Sequence, residues 1–175
     1  MPIKSLLLVA MVALSGCASV DVERYREERP ELRLEEYFNG TLDAWGMFQK
    51  RDGEVVKRFE VVIEASWSGN QGVLDERFTY SDGSTQQRIW RITKMADNRY
   101  QGEADDVVGI AQGRVAGNAL HWVYTLRLPV EDREYEVVFD DWMYLQEDGV
   151  LINRSVMKKF GFRLGEVTLF FRKRP

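Results

Sequence analysis

Arg88, Trp90, Asp141, Asn153 and Arg154 are the polar and aromatic residues best placed in this sequence to do chemistry. Arg88 and Trp90 lie two residues apart, so on a strand they share a face, and the same spacing joins Asp141 to Phe139 and Met143. A carboxylate on an apolar face needs a cation or a hydrogen-bond donor, because an unpaired buried charge is strongly destabilising. Arg154, on the strand expected next, is the partner the sequence offers Asp141. The chemistry implied is an arginine gripping a carboxylate or phosphate head group, or else a structural ion pair. Trp67, Trp122, Tyr124 and Met143 fall on apolar positions of other expected strands. With Arg88, Trp90, Asp141 and Arg154 they make up the candidate ligand-binding set. The tryptophans Trp45, Trp67, Trp90, Trp122 and Trp142 sit on separate expected strands. Turned inward, they either line an apolar pocket or fill a barrel too narrow to hold anything.

Catalytic chemistry has thinner support. The chain has one His, His121, and one Cys, Cys17, so a His/Cys zinc site is out of reach and no metal or cofactor is expected. There is no Gly-x-Ser-x-Gly elbow and no phosphate-binding loop. The acidic pairs Asp105-Asp106 and Asp140-Asp141 do not follow a calcium-loop pattern and are expected to be solvated or capping. Gly109, Gly113 and Gly117 recur every four residues, but Gln112 and Arg114 lie among them. They are expected to mark a strand where a barrel bends, not a lipid-embedded helix.

The N-terminus carries a different chemistry. Lys4 precedes nine apolar residues, Leu6–Leu14, a run too short for a bilayer span, which needs roughly 20. Leu14-Ser15-Gly16-Cys17 resembles the bacterial lipobox at all four positions. The resemblance implies diacylglyceryl transfer to the Cys17 sulfur, cleavage before Cys17 and acylation of the new amino terminus. Several acyl chains hold a protein stably where one holds weakly. Ala18 follows the Cys in place of Asp, which by the same resemblance implies the outer membrane, facing the periplasm. The expected organisation is a signal peptide at 1–16, a lipid-anchored tether at 17–30 and one domain at 31–175.

That domain is expected to be all-β. The chain has 24 Lys+Arg against 28 Asp+Glu, which argues against nucleic acid as a partner, and 45% hydrophobic residues, enough for a core. Pro30, Leu32, Leu34, Tyr37 and Phe38 suit a short helix stopped by Gly40. From Thr41 the apolar period is two, as in Phe59/Val61/Ile63/Ala65 and Leu120/Trp122/Tyr124/Leu126/Leu128. Turn pairs such as Asp52-Gly53, Gly69-Asn70, Asp82-Gly83, Gly117-Asn118 and Asp148-Gly149 separate the runs. The pattern predicts strands near 43–50, 56–67, 73–81, 85–95, 99–105, 110–116, 119–129, 133–146, 150–160 and 166–173. A meander this long buries its apolar face and hides its edges by closing on itself. The expectation is a single antiparallel up-and-down, lipocalin-like barrel of about nine or ten strands with a short N-terminal helix, the alternative being a two-layer sandwich. Charges recur on almost every strand, so the outer face is not the continuous apolar band of a transmembrane barrel.

Several stretches carry a family resemblance. They are Phe38-Asn39-Gly40 with Ala44-Trp45-Gly46, Arg88-Ile89-Trp90-Arg91-Ile92, Ala104 to Gly109, and Asp140 to Leu145 continuing through Leu151-Ile152-Asn153-Arg154 to Gly165-Glu166-Val167-Thr168-Leu169. With the lipobox, they resemble a family of proteobacterial lipoproteins of unknown function with a lipocalin-like fold. The resemblance implies no catalytic residues. The resemblance also implies gene neighbourhoods for fatty-acid modification and oxidative stress, which leans the ligand expectation toward a fatty acid or other lipid. In the looser comparison with true lipocalins, Trp45 and Arg172 would take the places of the first-strand Trp and the late-strand Arg, with Asp43 where a Gly is usual.

Three readings follow. The first is a membrane-tethered binding module for a small apolar or amphipathic molecule. The second is a ligand-free assembly partner acting through its surface, for instance the basic segment Leu151–Pro175, which holds seven Lys/Arg and one Glu. The third is a lipid-modifying enzyme built on Asp141 and Arg154.

Overall fold

The computed structural model describes residues 20–130 and 132–175. Alternation of apolar and polar residues produces ten antiparallel strands: β1 (Gly40–Lys50), β2 (Val55–Ser68), β3 (Gln71–Tyr80), β4 (Thr85–Lys94), β5 (Arg99–Glu103), β6 (Ala111–Ala116), β7 (Ala119–Val130), β8 (Arg133–Leu145), β9 (Leu151–Lys159) and β10 (Phe162–Lys173). Each pairs with its sequence neighbour, and β1 pairs with β10 from Leu42↔Lys173 to Lys50↔Gly165, so the meander closes into a barrel. Closure leaves no edge with unpaired backbone groups. The up-and-down barrel read from the sequence is the fold found, and no sandwich forms.

The inward positions are those of the period-two pattern. On β2, Phe59, Val61, Ile63 and Ala65 are buried, while Arg58, Glu60, Glu64 and Ser66 are exposed on the outside. One end of the barrel, the floor, is plugged by the segment before β1. Leu32, Leu34 and Phe38 are buried there, and α1 (Leu34–Tyr37) is a single helical turn. Polar ties fix the plug. The Trp67 indole donates to the Phe38 carbonyl (2.8 Å), the Tyr37 hydroxyl to the carbonyls of Gly149 (3.0 Å) and Phe171 (3.1 Å), and the Tyr100 hydroxyl to Glu35 Oε2 (2.8 Å). The helix starts later than expected. Arg33 is its N-cap and Pro30 lies outside it, because Leu32 first commits its backbone N–H to the Gly117 carbonyl (2.8 Å).

The stretch expected as a tether is bound to the wall over its described part. A 3-10 turn, Val22–Tyr25, is capped by Asp21, buries Val22 against Ala116 and Ala119, and sets the Tyr25 ring edge-on to Trp142 and Tyr144. Cys17 and the rest of the lipobox lie outside the described residues.

Three other expectations change. Trp45 and Arg172 are exposed on the outer face, Trp45 at 47%, and Arg172 pairs in register with Asp43, so the lipocalin Trp–Arg arrangement is not built. The basic C-terminal segment divides, with Arg172, Lys173 and Arg174 at the floor end and Lys158, Lys159 and Arg163 beside the opposite rim. Of the recurring glycines, Gly113 makes room for the Trp122 ring that lies across it: a Cβ there would sit 1.6 Å from a ring atom. Gly117 occupies the β6–β7 turn at φ 54°, a conformation that favours glycine.

Candidate functional site

The barrel is hollow. A cavity of about 1260 Å³ runs from Leu34 and Phe38 at the floor to Ser84, Thr85, Glu134 and Lys159 at the hairpins of the other end. Ligand pockets usually hold roughly 300–1,000 Å³, so this volume suits a sizeable organic molecule. Most of the wall is apolar, with Ile63, Leu74, Ile92, Leu120, Met157 and Phe171 among its side chains.

Two polar groups interrupt that wall. The first is centred on Arg88. Its guanidinium clasps Asp106 with both Nε and Nη2 (2.7–3.0 Å) and lies 4.0 Å from Glu76, its register partner across β3–β4. Burial disfavours the charge on Arg88, but the bond to Asp106 and the nearby Glu76 outweigh it and raise its pKa. Burial pushes the Glu76 carboxyl up to about 7. Arg88 opposes that rise, and Asp106 and Asp141 add to it.

The second group stands on β7, β8 and β9. Asp141 is 4% exposed and accepts from Asn153 Nδ2 and from the Tyr124 hydroxyl (3.0 Å). Burial lifts its carboxyl to about 6 despite those two donors, and burial beside Asp141 raises the Tyr124 phenol well above its ordinary value. Asn153 also donates to the Trp142 carbonyl (3.0 Å). Ser155, directly opposite Asp141 in register and 2% exposed, lines the cavity, and its hydroxyl has no hydrogen-bond partner in the protein. β3 and β8 are five places apart in a ring of ten strands, so Glu76 and Asp141 stand on opposite walls. The rings of Trp90 and Tyr124 meet edge-on between them at 5.4 Å.

Of the residues singled out in the sequence, Arg88, Trp90, Trp122, Tyr124, Asp141 and Met143 line the cavity together. Trp67 does not. It points inward at the floor, where it ties down the plug. Arg154 does not either: it sits on the outer face and pairs with Glu166 (2.9 Å). The cause is parity. Asp141 is opposite Ser155, so the strand position that faces the cavity beside it is odd-numbered, and an even-numbered Arg154 must point away.

Glu76 and Ser155 were missed, and Asp106, expected to be solvated or capping, instead clasps Arg88 at the cavity wall. Glu76 shares the parity of the apolar Leu74 and Phe78, and Ser155 that of Leu151 and Met157, which is the signal that marks them as inward. Asp106 comes from a loop, where no periodicity exists to read. It is held by the Arg127 N–H to Asp106 carbonyl bond (2.8 Å) and the neighbouring Val107–Leu126 bridge.

A separate titratable cluster, His121, Asp140 and Lys158, stands outside the cavity on β7, β8 and β9. His121 stacks on Trp142 (4.2 Å) and bonds Asp140 (2.9 Å), which also takes Lys158 (2.7 Å). Burial pushes the Asp140 carboxyl up, but Lys158 and His121 outweigh it and hold it below its ordinary value. Among the described residues no group of three or more His, Cys, Asp or Glu is arranged to hold a metal ion.

A family model described as "Protein of unknown function (DUF3833)" matches residues 11–173. No curated protein matches the chain.

Proposed function

The chain belongs to that DUF3833 family of proteins of unknown function, and we propose that it is a binding module that holds one amphipathic, lipid-like molecule inside its barrel. The observation that carries this reading is the cavity of about 1260 Å³, mostly apolar in its wall and interrupted by two groups of polar side chains. Such a chamber shelters an apolar body and fixes its orientation through a few hydrogen bonds. The solid barrel needed for a purely surface-acting partner has no such chamber. The enzyme reading rested on Asp141 with Arg154, and those two side chains lie on opposite faces of the wall.

Lipidation at Cys17 and an outer-membrane, periplasm-facing location belong to the same proposal and rest on the lipobox resemblance. An anchored barrel stays close to a membrane-derived ligand.

Native mass spectrometry of protein purified from its own membranes should show one bound small molecule per chain. The neutral dye N-phenyl-1-naphthylamine should brighten on entering the emptied barrel. Met143→Trp, which projects a larger side chain into the chamber, should weaken the dye at least several-fold with the fold intact by circular dichroism. Failure of wild-type protein to bind the dye and to carry any molecule would defeat the proposal.

A further inference from the structure

The two polar groups of the chamber hold three carboxylates, Glu76, Asp106 and Asp141, and one cation, Arg88. Arg88 is already spent on Asp106, which takes both its Nε and Nη2 donors, and leans on Glu76. Its Nε/Nη2 fork is closed to an anionic head group, and an anion at the remaining Nη1 would meet Glu76. Among the described residues no cation forms an ion pair with Asp141. Its two partners are the neutral donors Asn153 and Tyr124. Beside it the Ser155 hydroxyl is buried, unpartnered and turned into the chamber. A buried hydroxyl normally finds a partner, and directly opposed residues on antiparallel strands have Cβ atoms only about 4.5–5.5 Å apart.

We infer that Asp141 and Ser155 form the head-group subsite, and that it takes a hydrogen-bond donor carrying positive charge: the ammonium group of a long-chain amine. This rests on the binding-module reading and reverses the head-group chemistry that a gripping arginine would have given. An ammonium supplies three donors and the missing counter-charge. It reaches the Asp141 carboxylate and the Ser155 oxygen together while its chain lies along the apolar wall. An alcohol supplies one donor and no charge. A carboxylate brings a second negative group against Asp141 in a largely apolar chamber, where like charges repel strongly.

The other cations lining the chamber lie toward the rim. Lys57 bonds Asp82 (3.1 Å) and sits over the Tyr80 ring, and Lys159 sits over the Tyr135 ring. Arg127, also lining the chamber, lies on β7 three residues beyond Tyr124 toward the same rim.

Hexadecylamine, hexadecanol and hexadecanoic acid should be competed against N-phenyl-1-naphthylamine bound to the delipidated protein at pH 7.5. The expected order is amine, alcohol, acid, with the amine ahead of the acid by more than about tenfold. Asp141→Asn should weaken the amine on the order of 30-fold or more, measured against the variant's own dye affinity and with the fold intact by circular dichroism. Ser155→Ala should weaken the amine and leave the acid unchanged. Acid binding as tightly as the amine, or an amine affinity unmoved by both substitutions, would overturn the subsite and leave the binding module standing. A wild-type protein that binds neither dye nor chain would overturn both.

Discussion

Glu76 and Asp141 are carboxyl groups placed where the hydrophobic effect would put leucine. Each keeps its proton longer than it does in water, to about pH 7 for Glu76 and about 6 for Asp141, chiefly because burial penalises the charge. In an unfolded chain both would release it near about pH 4. Between those limits the folded protein binds more protons than the unfolded one, so stability falls as pH rises and levels off above both values. Asp43, Asp82 and Asp140 behave oppositely: their carboxyls sit below the ordinary range, and their contribution is lost only in stronger acid. The window from about pH 4.5 to 7 therefore belongs to the two chamber carboxyls. Urea unfolding should give a free energy lower at pH 8 than at pH 5 by on the order of 2 kcal/mol. In a protein carrying both Glu76→Gln and Asp141→Asn that slope should flatten. A slope unchanged in the double variant would mean that other groups set it.

At the level of strands, Trp122 exists as a cavity wall only because two neighbours are glycine. Its ring covers Gly113 on β6 and reaches Gly102 on β5, where an added Cβ would lie 2.6 Å from a ring atom. Gly113→Ala cannot be absorbed without moving the indole into the chamber, and overpacking of this kind costs about 1–3 kcal/mol. The variant should unfold at lower denaturant and bind the dye less well. Normal stability with normal dye binding would show that the ring has another place to go. The same strands show how far the sequence can be read. Period two and the Gly- and Asn-containing turns locate all ten strands to within a few residues, since each signal is local. Which face is inward follows from parity within one strand, and it identified Trp90, Trp122, Tyr124 and Met143. The Asp141 partner needed the register between β8 and β9, which no single strand encodes, and there Arg154 was the wrong choice and Ser155 the right one. Asp106, placed by a loop, and Trp67, drawn to the plug by one hydrogen bond, were beyond any periodic signal.

Across the whole molecule, the plug and the mouth are at opposite poles, and the chain arrives at the plugged one. The Val22–Tyr25 turn sits beside the β6–β7 hairpin at the floor, where a Cβ on Gly117 would lie 1.7 Å from the Tyr25 carbonyl oxygen. Cys17 lies three Cα steps before Val20, a reach of at most about 11 Å. If Cys17 carries the anchor, the floor is held near the bilayer and the mouth opens away from it, roughly 30 Å out for tilted strands of this length. The β9–β10 hairpin at that mouth carries Phe160, Phe162 and Leu164, exposed at 89%, 70% and 40%. Its position tests the orientation directly. In lipidated protein on vesicles containing a head-group quencher, a fluorophore on Met95→Cys, in the β4–β5 turn at the floor, should be quenched, and one on Phe160→Cys should not. Stronger quenching at 160 than at 95 would tip the barrel over. The bare aromatic hairpin would then be a second contact with the bilayer, and the chamber would open onto the lipid itself.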